Sequence, residues 1–291
     1  MTARVGLTRW ERLARAAPVR IAVVMIVALW SLPTVGLLVS SFRPSADIRA
    51  TGWWEAILHP FEAAQWTVAN YANVLGADGM AEAFLNSLIV SIPATAIPIT
   101  MAAFAAYAFA WMRFPGRGLL FALVVGLLVV PIQMALIPIL RLYTQLDLTG
   151  TFVGTWLAHA GFGLPLAIFL LFNFISQIPR DLVESAHLDG ASHYQIFTRL
   201  ILPLSIPALA SFAIFQFLWV WNDLLVALVY LGTDSSVATM PARLNELVGS
   251  KGEAWHVLTA GAFLTMIVPL AVFLGLQRYF VRGLLTGSVK A

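Results

Sequence analysis

Two side chains in this sequence stand where acid and base chemistry would be least expected. Asp223 is the one acid inside its long apolar stretches, and His159 is a histidine inside another. A charge in mid-bilayer costs about 2.5–3.5 kcal/mol on insertion scales, so Asp223 must face a protein interior and a partner. Beside it, Trp219 and Trp221 offer flat rings of the kind on which sugars stack, and Asn222 adds an amide donor and acceptor. Hydroxyl recognition and helix-to-helix hydrogen bonding account for this cluster equally well. A membrane enzyme using Asp223 and His159 as acid and base lacks a nucleophile: the sequence has no cysteine, no nucleophile elbow and no paired-histidine zinc motif. A proton-driven transporter working through Asp223 is the other alternative. The remaining histidines, His59, His187, His193 and His256, are too scattered for a metal site.

The elements that carry these residues are set by composition. The chain has 291 residues, 60% hydrophobic and 11% charged, against roughly 25% charged in soluble domains. Six apolar runs have the length that crosses a bilayer as a helix: 21–42, 84–111, 119–140, 152–175, 204–231 and 257–280. They are apolar all round and do not alternate, which excludes membrane strands. The expected fold is all-α and polytopic with six transmembrane helices, a tail over 1–20 and one membrane domain over 21–291. Prolines inside the runs, among them Pro93, Pro131, Pro165 and Pro207, free carbonyls that must be satisfied in protein or beside water. With the N-terminus inside, 12 of the 17 Lys and Arg residues lie on inner segments, so both termini are expected in the cytoplasm. Nine of the acids lie on the outer loops. The net charge of +3 therefore reflects an inner-face bias and not a nucleic-acid surface. The outer loop between Arg43 and Ala83 carries four Trp and Tyr rings between Trp53 and Tyr71, suited to an amphipathic segment at the outer membrane surface.

One inner connection, 176–203, departs from this apolar background. Pro179 fits a helix start, and Asp181 and Glu184 place negative charge near its positive end. Asp189-Gly190 is a stop, and Ser192 can cap a second short helix running to Pro203. Leu182, Val183 and Ala186 make a small apolar knob rimmed by Arg180, Asp181, Glu184 and His187. Such a knob suits a groove on another protein, and equally an amphipathic hairpin lying on the membrane.

The segment "ESAHLDGAS" resembles the signature loop of binding-protein-dependent ABC importer permeases, with Ser185 in place of the usual first alanine. "AAYAFAWMRFPGR" (Ala105 to Arg117), "WNDLL" (Trp221 to Leu225) and the tail "QRYFVRGLLTGSVKA" (Gln277 to Ala291) are similar to the smaller permease of maltose-type carbohydrate importers, with Trp111 replacing a commoner basic residue. The resemblance implies the type I ABC importer permease fold and a non-enzymatic subunit. It also implies a second, larger permease, two ATPase subunits that bind the ATP and Mg, an extracytoplasmic sugar-binding protein, and no cofactor in this chain. Glu184, Ser185, Ala186, Leu188, Asp189, Gly190 and Ala191 would couple to an ATPase. Arg282, Gly283, Thr286, Gly287 and Ser288 would form a tail reaching the ATPase pair. Thr239, Met240, Pro241, Asn245, Gly249 and Lys251 would form a loop that meets the binding protein. Trp219, Trp221, Asn222 and Asp223 would border the sugar pathway. The region around "VGSKGEAWHVLTAGAF" looks most like permeases for α-linked glucosides such as maltose, trehalose or glucosylglycerol.

Overall fold

The computed structural model describes residues 9–76, 79–250 and 255–286, with side chains described over 17–76, 79–246 and 255–278. Every regular element among them is helical. The elements that matter here are α1 (Arg9–Ser41), α2 (Met80–Trp111), α3 (Arg117–Gly126), α4 (Ile132–Gln145), α5 (Phe152–Ile175), α6 (Arg180–Leu188), α7 (His193–Ile196), α8 (Ile206–Trp221), α9 (Leu225–Tyr230), α10 (Met240–Ser250) and α11 (Trp255–Thr286).

Four helices are long and apolar enough to cross a membrane: Ala17–Ser41, Met80–Trp111, Phe152–Ile175 and Trp255–Arg278. Two more spans exist only if each of two bent pairs counts as one. The expected third span, 119–140, is not a single rod. Arg117–Val129 and Ile132–Gln145 meet at 104°. The cause is Pro131, which caps α4 and forces the preceding Val130 to an extended ψ of 116°. The expected fifth span, 204–231, is also corrected. His193–Leu204 and Ile206–Trp221 bend by 70° at Ser205, between Pro203 and Pro207, neither of which has an N–H to carry the ladder through. This span stops at Trp221, so Asn222 and Asp223 lie in an unwound turn before α9 and not inside a helix.

The chain divides into two compact units. The first comprises the residues up to Val74 together with 251–263. Most side chains from Val19 to Trp30 on α1 are exposed, Trp30 at 79%. An apolar surface of that extent is stable against hydrocarbon and would aggregate in water. The aromatic loop after α1 is no simple surface segment. It closes around Arg43, which is 1% exposed. The Arg43 guanidinium donates to the carbonyls of Thr51 (3.2 Å) and Gly52 (2.8 Å) and to the Thr51 hydroxyl (2.6 Å). Asn70 donates to the carbonyls of Ser41 (2.9 Å) and Arg43 (2.8 Å), which pins the far end of the loop to the end of α1.

The second unit holds 75–250 and 264–291. At its centre α2 and α5 pack through small residues: Ala94, Ala102 and Ala106 on one side, Ala158, Gly163 and Ala167 on the other, all buried. Small side chains let two backbones approach closely where hydrocarbon offers no hydrophobic drive. α8 lies against both. Its Gln216 is 1% exposed and donates to the carbonyl of Ala94 on α2 (3.2 Å) and of His159 on α5 (3.4 Å). One amide thus joins three helices.

Candidate functional site

The polar hairpin is built as its residues require. Pro179 caps α6, the helix ends at Asp189, and Gly190 takes φ +80°. That left-handed geometry costs an L-residue roughly 1–2 kcal/mol and glycine almost nothing. Ser192 then caps α7 with a reciprocal box: its hydroxyl accepts from the Gln195 N–H (3.3 Å) and its N–H donates to the Gln195 side chain (2.8 Å). Ser192→Ala removes one half of that box. It should cost about 1 kcal/mol, read as a fall of about 2–4 °C in Tm for a chain of this size.

One member of the expected knob sits elsewhere. Val183 is 3% exposed and packs inward with Ile178, Ile196, Phe197 and Ile201. The outward apolar side chains are Leu182 and Leu188, the latter 89% exposed. Between them Ser185, Ala186, Asp189, Gly190, Ala191 and Arg199 line a shallow hollow of about 430 Å³. Glu184 is exposed on α6.

The hairpin is fastened to α2 by residues that the sequence did not single out for this role. The Tyr107 hydroxyl lies 2.9 Å from His193 Nδ1, and Tyr107 also packs on Phe197 with ring centroids 5.4 Å apart. Phe104 stacks on Phe197 at 4.6 Å. His187 meets His193 edge to face at 5.2 Å, which joins the two arms of the hairpin to each other. A displacement of the hairpin therefore pulls on α2 and on the core beneath it. The available signal was Tyr107 itself, a polar-tipped ring in the alanine-rich run "AAYAFAW".

At the intramembrane cluster the four expected residues part company. Trp221 is 1% exposed, donates to the carbonyl of Thr265 (2.9 Å) and stacks on Phe217, so it is core. Asn222 donates back to Leu218 (2.7 Å) as a helix end-piece. Trp219 alone lines a cavity of about 330 Å³, with Gln216, Phe215, Phe162, Gly163 and Leu166 among its neighbours. Asp223 accepts from the Ala227 N–H (3.1 Å), capping α9, and its Oδ2 lies 3.3 Å from His159 Nε2. The two groups singled out on opposite sides of the sequence are thus in contact. Among the described residues no cluster of three or more His, Cys, Asp or Glu side chains fit for a metal occurs.

The expected outer loop is largely anchored. Thr239 and Met240 are buried, at 5% and 1%. Asn86 of α2 donates to the carbonyls of Ser236 and Ala238 (both 3.1 Å), and the Met240 N–H donates to the Ser87 hydroxyl (2.8 Å). Pro241 and Asn245 lie on α10, as does Gly249. Lys251, Gly287 and Ser288 fall outside the described residues. Arg282, Gly283 and Thr286 are the last turns of α11. In the turn before α10, the Asp234 carboxylate accepts from the Ser236 hydroxyl (2.6 Å) and N–H (2.9 Å), and these two bonds hold its pKa below the ordinary 3.8. A lowered value means the turn is held at neutral pH and released as the pH falls below 3.8. The Asp234 carboxyl carbon should accordingly titrate below that value by NMR, and Ser236→Ala should raise its midpoint.

With every regular element among the described residues helical, two apolar spans sharply bent and a capped polar hairpin between two of them, the chain has the form of a polytopic membrane protein. The chain belongs to the family of binding-protein-dependent transport system inner membrane components, whose model matches residues 98–286. It is 61% identical over 282 residues to the osmoprotective compounds uptake permease protein GgtD of Synechocystis, covering 97% of this chain and 93% of that one. It is 43% identical to the alpha-glucoside transport system permease protein AglG of Rhizobium meliloti, covering 94% and 96%. A bacterial ABC transporter involved in the import of the acidic polysaccharide alginate has the same fold, with a TM-score of 0.75 over 94% of this chain and 99% of that one at 18% identity. The chain is accordingly an inner-membrane pore subunit of a system that works with a binding protein and ATPase subunits.

Proposed function

We propose that this chain is the smaller permease of an ATP-driven importer of an α-linked glucoside, and that the α6–α7 hairpin docks in an ATPase subunit. The observation that carries the reading is the hairpin. Its turn is fixed by Gly190 and the Ser192 box, its outer face offers Leu182, Leu188 and a small-residue hollow, and its inner face is bonded to α2 through Tyr107 and His193. A lever needs those three properties: a stiff tip, a surface to push on, and a fixed attachment. ATP closure at the tip then tilts α2, and with it α5 and α8, between outward-facing and inward-facing states.

Two copies of the ATPase, a larger permease and an extracytoplasmic sugar-binding protein complete the proposed assembly, with both termini of this chain in the cytoplasm. The tail from Arg282 to Ser288 reaches the ATPase pair, and the exposed part of the 239–251 segment meets the binding protein. Trp219 is the favoured sugar contact because it borders the cavity, with Asp223 behind it. The names of the relatives, one for alpha-glucosides and one for osmoprotective compounds, support a cargo of one of those kinds. The test is uptake of labelled trehalose, maltose and glucosylglycerol into proteoliposomes bearing the assembled importer. Accumulation that needs ATP, the ATPase and the binding protein is expected. Accumulation driven by a proton gradient without the ATPase would refute the reading.

A further inference from the structure

The cavity that Trp219 borders is lined by polar groups whose bonding the fold leaves incomplete. Gly161 has no side chain and lines it with main chain alone, and Pro165, four residues on, has no N–H for the Gly161 carbonyl. Leu128 and Val130 line it at the break before Pro131, where the helix ending at Val129 runs out of ladder partners for its last carbonyls. Ile132 lines it too, and its N–H is the first of α4, a donor without a place in the ladder. Gln216 is 1% exposed, and its Nε2 donates to the carbonyls of His159 and of Ala94, the latter deprived of its ladder donor by Pro98. Carbonyls only accept, so the amide is fixed with Nε2 towards them, and Oε1 is left over as an acceptor beside Gly163, which also lines the cavity.

The chemistry of this lining selects its occupant. Hydrocarbon tails cannot satisfy released carbonyls or a buried amide oxygen. None of the described residues that line the cavity is ionisable, so a charged group would enter without a counter-ion. A carboxylate in addition brings no hydrogen for the acceptors. A hydroxyl both donates and accepts, and can serve the carbonyls and the Ile132 N–H alike. Trp219, Phe162 and Phe215 supply flat apolar faces for the carbon skeleton that carries such hydroxyls. The volume of about 330 Å³ is at the low end of the range of about 300–1,000 Å³ for small-molecule sites, enough for one ring and not for a chain of them.

We propose that this cavity is a binding subsite, within this chain itself, for one neutral polyhydroxyl unit, a sugar ring or a glycerol moiety. Gln216 Oε1 and the Gly161 carbonyl accept its hydroxyl hydrogens, and Trp219 packs on its carbon face. Gln216 thereby sets specificity: with its donors spent on Ala94 and His159, it admits only a partner that brings a hydrogen. The break between α3 and α4 adds main-chain groups in the way that discontinuous helices do at transport sites. Delivery of the unit rests on the importer reading; the chemistry of the cavity does not.

The sequence holds no cysteine, so Gly161→Cys gives the chain a sole thiol. A Cβ at Gly161 meets nothing within 4 Å, so the packing should not be disturbed. In the assembled permease–ATPase complex in lipid nanodiscs, without nucleotide or binding protein, a water-soluble methanethiosulfonate should label this thiol. Trehalose or glucosylglycerol, titrated upward, should slow the labelling along a saturable curve, about tenfold at about ten times its Kd. Glycine betaine should leave the rate unchanged. Trp219→Leu in the same background should keep the labelling and lose the protection. A thiol that does not react means that lipid or the larger permease fills the cavity, and this overturns the proposal. Protection by betaine, equal rates throughout the titration, or protection that survives Trp219→Leu overturns it as well. Labelling does not require ATP-driven uptake, so failure here is distinct from failure of the importer assignment.

Discussion

Gly190→Pro should leave this chain inserted in the membrane and assembled with its partners, yet reduce sugar uptake by at least about tenfold while ATP hydrolysis continues. The argument is conformational. Gly190 has φ +80°, and proline is locked near −65°. The same substitution deletes the N–H that Gly190 donates to the His187 carbonyl at 3.0 Å. No neighbouring atom lies within 4 Å of a Cβ built there, so the effect is confined to the direction of the turn and does not arise from a clash. α7 and its link to Tyr107 would then be aimed differently, and force applied at the tip would not reach α2. Gly190→Ala separates the contributions: it keeps the N–H and costs only the left-handed strain of roughly 1–2 kcal/mol, about a tenfold bias against the native turn. Intermediate coupling is expected for it. Uptake and ATPase measured together in proteoliposomes decide the matter, and normal coupling in the proline variant would end the lever reading.

What the sequence made readable, and what it concealed, follows from the range of the interactions involved. Runs such as 152–175 are legible because hydrocarbon demands about twenty apolar residues in succession, and that helix is found at Phe152–Ile175. The hairpin is legible for the same local reason: a glycine stop and a serine cap act within three residues of themselves. Pro131 was visible, but a proline inside an apolar run is compatible with a gentle kink or with a turn of 104°, and only the packing on either side chooses. Thr239 and Met240 read as loop from their polar surroundings, whereas they are buried because Asn86 and Ser87, some 150 positions earlier, supply the hydrogen bonds. Asp223 and His159 each stand out in the sequence as polar groups at depth. Their contact spans 64 positions and three elements, and no local pattern encodes it.

The second large effect is expected at Gly163, where a single methyl group should loosen the bundle. A Cβ at this position would lie 2.5 Å from Gln216 Oε1 and 2.6 Å from Nε2, far inside contact distance. Elsewhere the tip of a glutamine would simply swing away. Here it is buried and donates to the carbonyls of Ala94 and His159, so moving it strands an amide in an apolar core. Overpacking costs about 1–3 kcal/mol and a stranded buried donor about 1–3 kcal/mol. Gly163→Ala should therefore lower Tm by about 4–24 °C, on a scale of about 2–4 °C per kcal/mol. The double variant Gly163→Ala, Gln216→Ala distinguishes the mechanism. It removes the obstructing amide and leaves the His159 carbonyl to the N–H of its own ladder, but strands the Ala94 carbonyl, because Pro98 four residues on has no N–H; part of the lost stability should therefore return, an interaction within the 0.5–3 kcal/mol known for touching residues. If the double variant is as unstable as the sum of the single ones, Gly163 is needed for α5 itself and not for the meeting of α5 with α8. A partial return of stability accompanied by weakened uptake would place the close approach of these helices within the transport cycle, since Gln216 and Gly163 both line the cavity that Trp219 borders.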